Sequence, residues 1–202
     1  MQNTYSLCYS DVAPDVWAAL AKIERTGWVM RGISDPETVQ EHTLALIRLA
    51  EEIHTIGEYK ANGLFQILEV HDWPEAIVGD EVIIEYDEEK RRRLKVLKNR
   101  KEVEAMKEIT RPLGEVGKEI NALWLRYENS SDETAQFAKE LDKYQAVEQA
   151  LTYEIEQNKN GIYYEFLDYL QNSITSEVLK EKLYLLEQKA HDHGIERKCV
   201  EK

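Results

Sequence analysis

The chemistry in this chain concentrates in the run VHDWPEAIVGD, residues 70 to 80. His71 and Asp72 close an almost wholly apolar stretch, NGLFQILEV, which belongs in the interior of a fold. A buried carboxylate without a partner is unfavourable by several kcal/mol. A divalent cation is the most economical partner, because neutral imidazole and carboxylate are both good ligands for it. Adjacent helical residues diverge by about 100°, so the pair can reach one ion only if it faces an internal cleft. The remaining ligands must then come from other helices. His42 lies mid-helix beside an apolar stripe, and Asp142 lies among Phe137, Leu141 and Tyr144. His42, His71, Asp72 and Asp142 would give two imidazole nitrogens and two carboxylate oxygens, with positions left open for water and phosphate.

Each of these features also has a plainer explanation. A lone mid-helix histidine is more often a packed or surface residue than a ligand. A His-Asp dipeptide is common, and the chain carries a second copy at His191-Asp192. That copy, in AHDHGIER, follows no apolar run and reads as solvated in spite of His193 two residues on. His54 likewise reads as a surface residue. Spacing by itself leaves both explanations open.

Positioning these side chains requires several helices. A first is expected through VWAALAKIERTG, capped by Asp15 or Ser10 and closing near Gly27. The segment SDPETVQEHTLALIRLAEEIH is expected as a second, with Asp35 as cap, Pro36 in the first turn and Gly57 at the end. The third runs through NGLFQILEVHDW. Residues 85 to 109 are charged and helical in character, and RPLG then breaks the run before EVGKEINALWLRYEN. Ser131 and Asp132 mark the start of a long helix, ETAQFAKELDKYQAVEQALTYEIEQ. Gly161 precedes IYYEFLDYL, and a last helix is expected over about 176 to 191. The absence of a repeat, linker or composition shift predicts one domain over 1–202, an all-α bundle of about seven or eight helices.

Composition agrees with that architecture. Nine glycines and four prolines in 202 residues disfavour a turn-rich sandwich or barrel, while 32% charged and 43% hydrophobic residues suit amphipathic helices. A net charge of −13 argues against nucleic-acid polymers and anionic membranes as partners. A small phosphorylated substrate would need a local cationic or metallic island. Two cysteines, Cys8 and Cys199, form no disulfide framework and point to a reducing compartment. With no long apolar run and no basic leader, the expected location is cytoplasmic.

Taken in order, RTGWVMRGISDPETVQEHT, EVHDWPEAIVGD and ELDKYQAVEQALTYE resemble the HD-domain superfamily, specifically its YfbR-type 5′-deoxynucleotidases. The match covers about residues 23 to 157. The resemblance implies an HD-domain helical bundle and a divalent metal on His42, His71, Asp72 and Asp142. It implies that Glu75 acts beside the phosphate, aligning or deprotonating the attacking water. Glu75 lies four residues after His71 and three after Asp72, on the same face of a continuous helix. Asp80 resembles a residue that contacts substrate and supports turnover. Arg25 and Trp28 resemble a substrate-binding pair, with Thr26 and Gly27 between them, and Arg31 is an alternative anion-binding residue.

Two departures stand out. Pro74 lacks a backbone donor and is expected to kink or restart the helix after Asp72. After Gly79-Asp80 the family has a proline-containing substrate loop, whereas this chain has EVIIEYDEEKRRR, whose basic run at 90 to 93 reads as a solvated face.

The resulting expectation is hydrolysis of a (deoxy)nucleoside 5′-monophosphate, the small-molecule substrate. A deoxynucleoside triphosphate triphosphohydrolase and a non-catalytic HD-frame binding protein are the alternatives. Mn, Co, Fe, Mg, Ni and Zn all suit the ligand set. A homodimer is expected from the resemblance and from aromatic surfaces such as IYYEFLDYL.

Overall fold

Scarce Gly and Pro leave long helical runs, and in the computed structural model every regular element among the described residues, 9–53, 57–170 and 173–197, is a helix. In chain order they are α1 (Pro14–Leu20), α2 (Thr26–Val29), α3 (Val39–Glu52), α4 (Gly57–Ala61), α5 (Leu64–Val70) and α6 (Glu75–Val78). These are followed by α7 (Glu88–Thr110), α8 (Gly114–Asn129), α9 (Glu133–Gln157), α10 (Ile162–Leu170) and α11 (Glu177–Asp192). Eight of them have seven or more residues, as the sequence predicts, and α2, α4 and α6 add short turns of four or five. None of the helices is long and apolar enough to cross a membrane. Cys8, His54 and Cys199 lie outside the described residues.

The most apolar helix is also the most enclosed. Six of the seven residues of α5 are buried, and the helix packs between α3, α8 and α9. The long α9 forms the other axis of the bundle and touches α3, α5, α8, α10 and α11. Asp132 caps it, its carboxylate accepting the Ala135 N–H, as the sequence indicates. Gly117 lets α8 start directly beneath α7, since a Cβ there would lie 1.9 Å from the Thr110 carbonyl oxygen.

Several expected boundaries differ, each for a local reason. The first helix stops at Leu20 instead of reaching Gly27, and its cap is Ala13, with Pro14 in the first turn. Residues 23–25 turn extended because Glu24 bridges to Thr38, with Arg25 N donating to Glu37 O and Val39 N to Ile23 O. Asp35 does not cap α3; its φ of 52° takes it out of line. Thr38 does so through a reciprocal capping box with Glu41, a Thr-x-x-Glu signal the Asp-Pro pair upstream obscured. The helix ends at Glu52, and Gly57 opens α4 instead of closing α3. The third helix ends at Val70, so His71 and Asp72 lie just past it, and Glu75 begins a new turn after Pro74.

Candidate metal centre and cleft

Two helices and one turn bring the predicted ligands together. His42 projects from the first turn of α3 and not from mid-helix as expected, His71 and Asp72 from the turn after α5, and Asp142 from α9. His42 Nε2, His71 Nε2 and an Asp72 oxygen form a cluster whose ligand atoms all lie within 4.8 Å of one another. Asp142 Oδ1 approaches His42 Nε2 at 3.1 Å, and Asp72 Oδ2 approaches His71 Nε2 at 3.1 Å.

The outer nitrogens decide what the inner ones can do. His71 Nδ1 lies 2.7 Å from the Leu68 carbonyl oxygen, which can only accept, so Nδ1 carries the proton. His42 Nδ1 lies 2.7 Å from Gln145 Oε1. The Gln145 amide is itself oriented, because its Nε2 donates to Glu37 Oε2 at 3.1 Å. Glu37 Oε1 accepts in turn from Trp28 Nε1 at 3.0 Å. Each ring, when neutral, therefore turns a lone pair toward the carboxylates. Both Nε2 atoms are buried and make no hydrogen bond. Electron-rich nitrogens and oxygens about 3 Å apart repel unless positive charge lies among them. The donor set and its outward-facing N–H groups fit a divalent metal ion.

Electrostatics in the metal-free site point the same way. Burial works against a charged His71, but Asp72 and Asp142 outweigh it and raise the pKa to about 9. Burial likewise works against ionised Asp72 and Asp142. His71, Arg25 and His42 nevertheless hold Asp72 at about 2 and Asp142 well below the usual carboxylate range. The carboxylates are ready to bind a cation, and in its absence His71 holds a second proton. Metal binding would release it.

A cavity of about 460 Å³ opens over the cluster. Its lining includes Arg25, His71, Asp72, Glu75, Asp80 and Asp142, with α7 contributing Lys95, Lys98, Asn99 and Glu102. Arg25 Nη1 contacts Asp72 Oδ2 at 3.3 Å. Glu75 is buried, and its Oε2 makes no hydrogen bond. Burial, then Asp72 and Asp80, push its pKa well up. The expectation of one continuous helical face for Glu75 fails, yet Pro74 stays helical (φ −54°, ψ −29°) and Glu75 still reaches the cavity. Asp80 accepts the Thr26 N–H at 2.6 Å, tying the turn after α6 to the start of α2.

A second cavity of about 650 Å³ shares Arg25, Asp80 and Asp142 with the first. Trp28, Ile83, Phe166 and Tyr169 make this lobe more apolar, and the segment after Asp80 forms one wall. Trp28 is only 2% exposed and stacks on Phe166 with ring centroids 4.6 Å apart. Arg31 belongs to this lobe and not to the metal cavity. It ion-pairs with Glu165, donates to the Gly27 carbonyl at 2.7 Å and lies over Phe166.

Sequence reasoning missed the residues that hold the ligands. Tyr127 donates its hydroxyl to Asp142 Oδ2 at 2.8 Å. Gln145 lies three residues after Asp142, on the same helical face, which was the available signal. Glu37 sits inside the run RTGWVMRGISDPETVQEHT that carries part of the resemblance. Lys98 and Glu102 were hidden in a helix so charged that its inner face did not stand out.

A helical bundle that gathers a His-His-Asp cluster at the foot of a cleft defines the class, and the chain belongs to the HD-domain family, whose pattern matches residues 18–182. Within it, the chain is 37% identical to the 5′-deoxynucleotidase HDDC2 of Mus musculus over 150 residues, 74% of this chain and 72% of that one. It is 33% identical to the 5′-deoxynucleotidase YGK1 of Saccharomyces cerevisiae over 168 residues, covering 81% and 75%. A crystallised protein of Pyrococcus horikoshii OT3 shares the fold with a TM-score of 0.64 at 21% identity, over 88% of this chain and 96% of that one.

Proposed function

We propose that the protein is a metal-dependent 5′-nucleotidase, splitting (deoxy)nucleoside 5′-monophosphates into nucleoside and orthophosphate. The observation carrying this reading is the pair of buried, unpartnered imidazole nitrogens converging with Asp72 beneath a cavity that Arg25 and Glu75 share. His42, His71, Asp72 and Asp142 hold the metal. A divalent cation there supplies positive charge to the phosphoryl oxygens and lowers the pKa of water. Arg25 binds the phosphate with its guanidinium fork. Glu75 takes the proton of the attacking water through the oxygen that has no other partner. Water attacks phosphorus, the bond from phosphorus to the 5′-oxygen breaks, and Asp80 assists that departing oxygen.

The two adjoining cavities support a mononucleotide. One is polar and adjoins the candidate metal cluster, the other is more apolar with aromatic residues in its lining, and Arg25 belongs to both. Trp28 and Arg31 shape the nucleoside lobe. Six carboxylates against three cationic side chains line the polar cavity, which disfavours the longer polyanion of a triphosphate. The relatives named as 5′-deoxynucleotidases support the same reading. The chain acts as one domain and as a homodimer, for which exposed Tyr169, Tyr184 and Leu185 are available; light scattering tests the dimer.

A metal-by-nucleotide matrix on stripped and reloaded protein tests the activity. Orthophosphate released from deoxynucleoside 5′-monophosphates, and only with metal, is the expected result. Inertness toward every monophosphate, or release of triphosphate from deoxynucleoside triphosphates, would overturn it.

A further inference from the structure

The helix α7 looks like a solvated rod, yet one stripe along it faces the metal cavity. Lys95, Lys98, Asn99 and Glu102 follow the spacing i, i+3, i+4, i+7, and all line the metal cavity. The same stripe continues through Ala105, Met106 and Ile109, which are buried against the bundle. The apolar half fixes the rotation of α7, and that rotation aims the polar half at the cleft. Lys98 is the cation most enclosed by this arrangement. Its side chain is 26% exposed, and its ammonium lies 3.4 Å from Glu102 Oε1, whose side chain is 15% exposed. Lys95, one turn nearer the solvent end, is exposed.

We propose that Lys98 is a substrate-binding residue, a phosphate clamp reaching across the cavity from α7 toward the metal-binding wall, with Glu102 holding the ammonium in place until the anion arrives. This rests on the nucleotidase reading above. Three features of the cavity support it. Arg25, which lines the same cavity, already contacts Asp72, so a dianionic phosphate entering the cleft needs a second cation on the α7 side. A lysine on a half-buried helix face loses hydration and side-chain freedom, which a solvated lysine does not. Its i,i+4 partner keeps it extended along the helix instead of into solvent. Lys98 and Arg25 thus enclose the phosphate between an ammonium point charge and a planar fork.

The test uses the metal-loaded full chain with Lys98→Met, which keeps most of the aliphatic stem, and Lys98→Arg, which keeps the charge. Binding of inorganic phosphate is read by calorimetry, KM and kcat by phosphate release from a deoxynucleoside monophosphate, and metal affinity separately. Lys98→Met is expected to weaken phosphate binding and raise KM by about 10- to 100-fold, the range for a lost charge-assisted hydrogen bond. Metal affinity and melting temperature should stay at wild-type values, and Lys98→Arg should recover most of the loss. Unchanged phosphate affinity and KM in a folded Lys98→Met protein would overturn the proposal. So would an equal loss in Lys98→Arg and Lys98→Met, which would mark packing and not charge. Wild-type protein that binds phosphate through Lys98 but cleaves no monophosphate would sink the nucleotidase reading alone.

Discussion

The chain carries the dipeptide His-Asp twice, and the two copies have opposite fates. His71 follows the buried helix α5; its Nδ1 is held by a main-chain carbonyl and its Nε2 meets Asp72 and the ring of His42. His191 and Asp192 close α11 in solvent, and the neighbouring His193 turns its Nδ1 to the Lys189 carbonyl. Identical chemistry is available at both places. Only the first is enclosed by elements from distant parts of the sequence, which supply desolvation, a fixed tautomer and opposing charge. A ligand pair becomes a site through what surrounds it.

The largest effect that would sharpen this contrast comes from the first copy. His71→Ala or Asp72→Ala should abolish metal binding and reduce turnover to background, measured by metal content and phosphate release. Retained metal at wild-type stoichiometry in either variant would erase the distinction between the copies.

Next in size is Glu75→Gln, expected to lower kcat by about 10²- to 10⁴-fold, as loss of a general base does, while metal stays bound. Its effect on stability has the opposite sign. Burial, Asp72 and Asp80 raise the folded-state pKa of Glu75 above its unfolded value of about 4.3. The metal-free folded state therefore holds this proton more tightly than the unfolded chain does. The stability it contributes is full below the unfolded pKa and is lost as pH rises through the folded one. Metal-stripped Glu75→Gln lacks that loss, so it should melt above wild type at neutral pH and close to it near pH 4. Equal melting temperatures at both pH values would show that Glu75 is not buried as described.

The contrast between the copies is readable in the sequence alone. An apolar run precedes His71 and none precedes His191, and burial follows from that difference alone. The helix starts at Glu133 and Ile162 were likewise legible, because Asp132 and Gly161 are strong local signals. What failed was the stretch from Leu20 to Thr38. The bridge between Glu24 and Thr38 is a pairing across sequence that no helical periodicity announces, and it overrode the propensity for a longer first helix. The supporting residues Gln145, Glu37 and Tyr127 were hidden for a related reason. Their polar atoms are spent on other side chains, a fact that exists only in three dimensions.

Those supports predict the next effect. Gln145→Leu keeps the bulk beside His42 but removes the acceptor that fixes its tautomer. Metal affinity should fall by about 10- to 100-fold, the usual consequence of losing such a partner. The change should appear in a chelator competition titration. Unaltered affinity would mean that burial alone orients His42.

The smallest effect belongs to the second copy. His191 and Asp192 are both exposed at the end of α11, where the helix dipole favours a cation and disfavours an anion. Replacing Asp192 by Ala removes an unfavourable charge there, and replacing His191 by Ala removes no buried contact. The first should raise thermal stability slightly and the second leave it nearly unchanged. The double variant should fall within about ±0.5 kcal/mol of wild type, as surface changes do, with metal content and turnover untouched. A double variant that lost metal or activity would place a ligand where the fold puts only solvent, and enclosure would no longer distinguish the two copies.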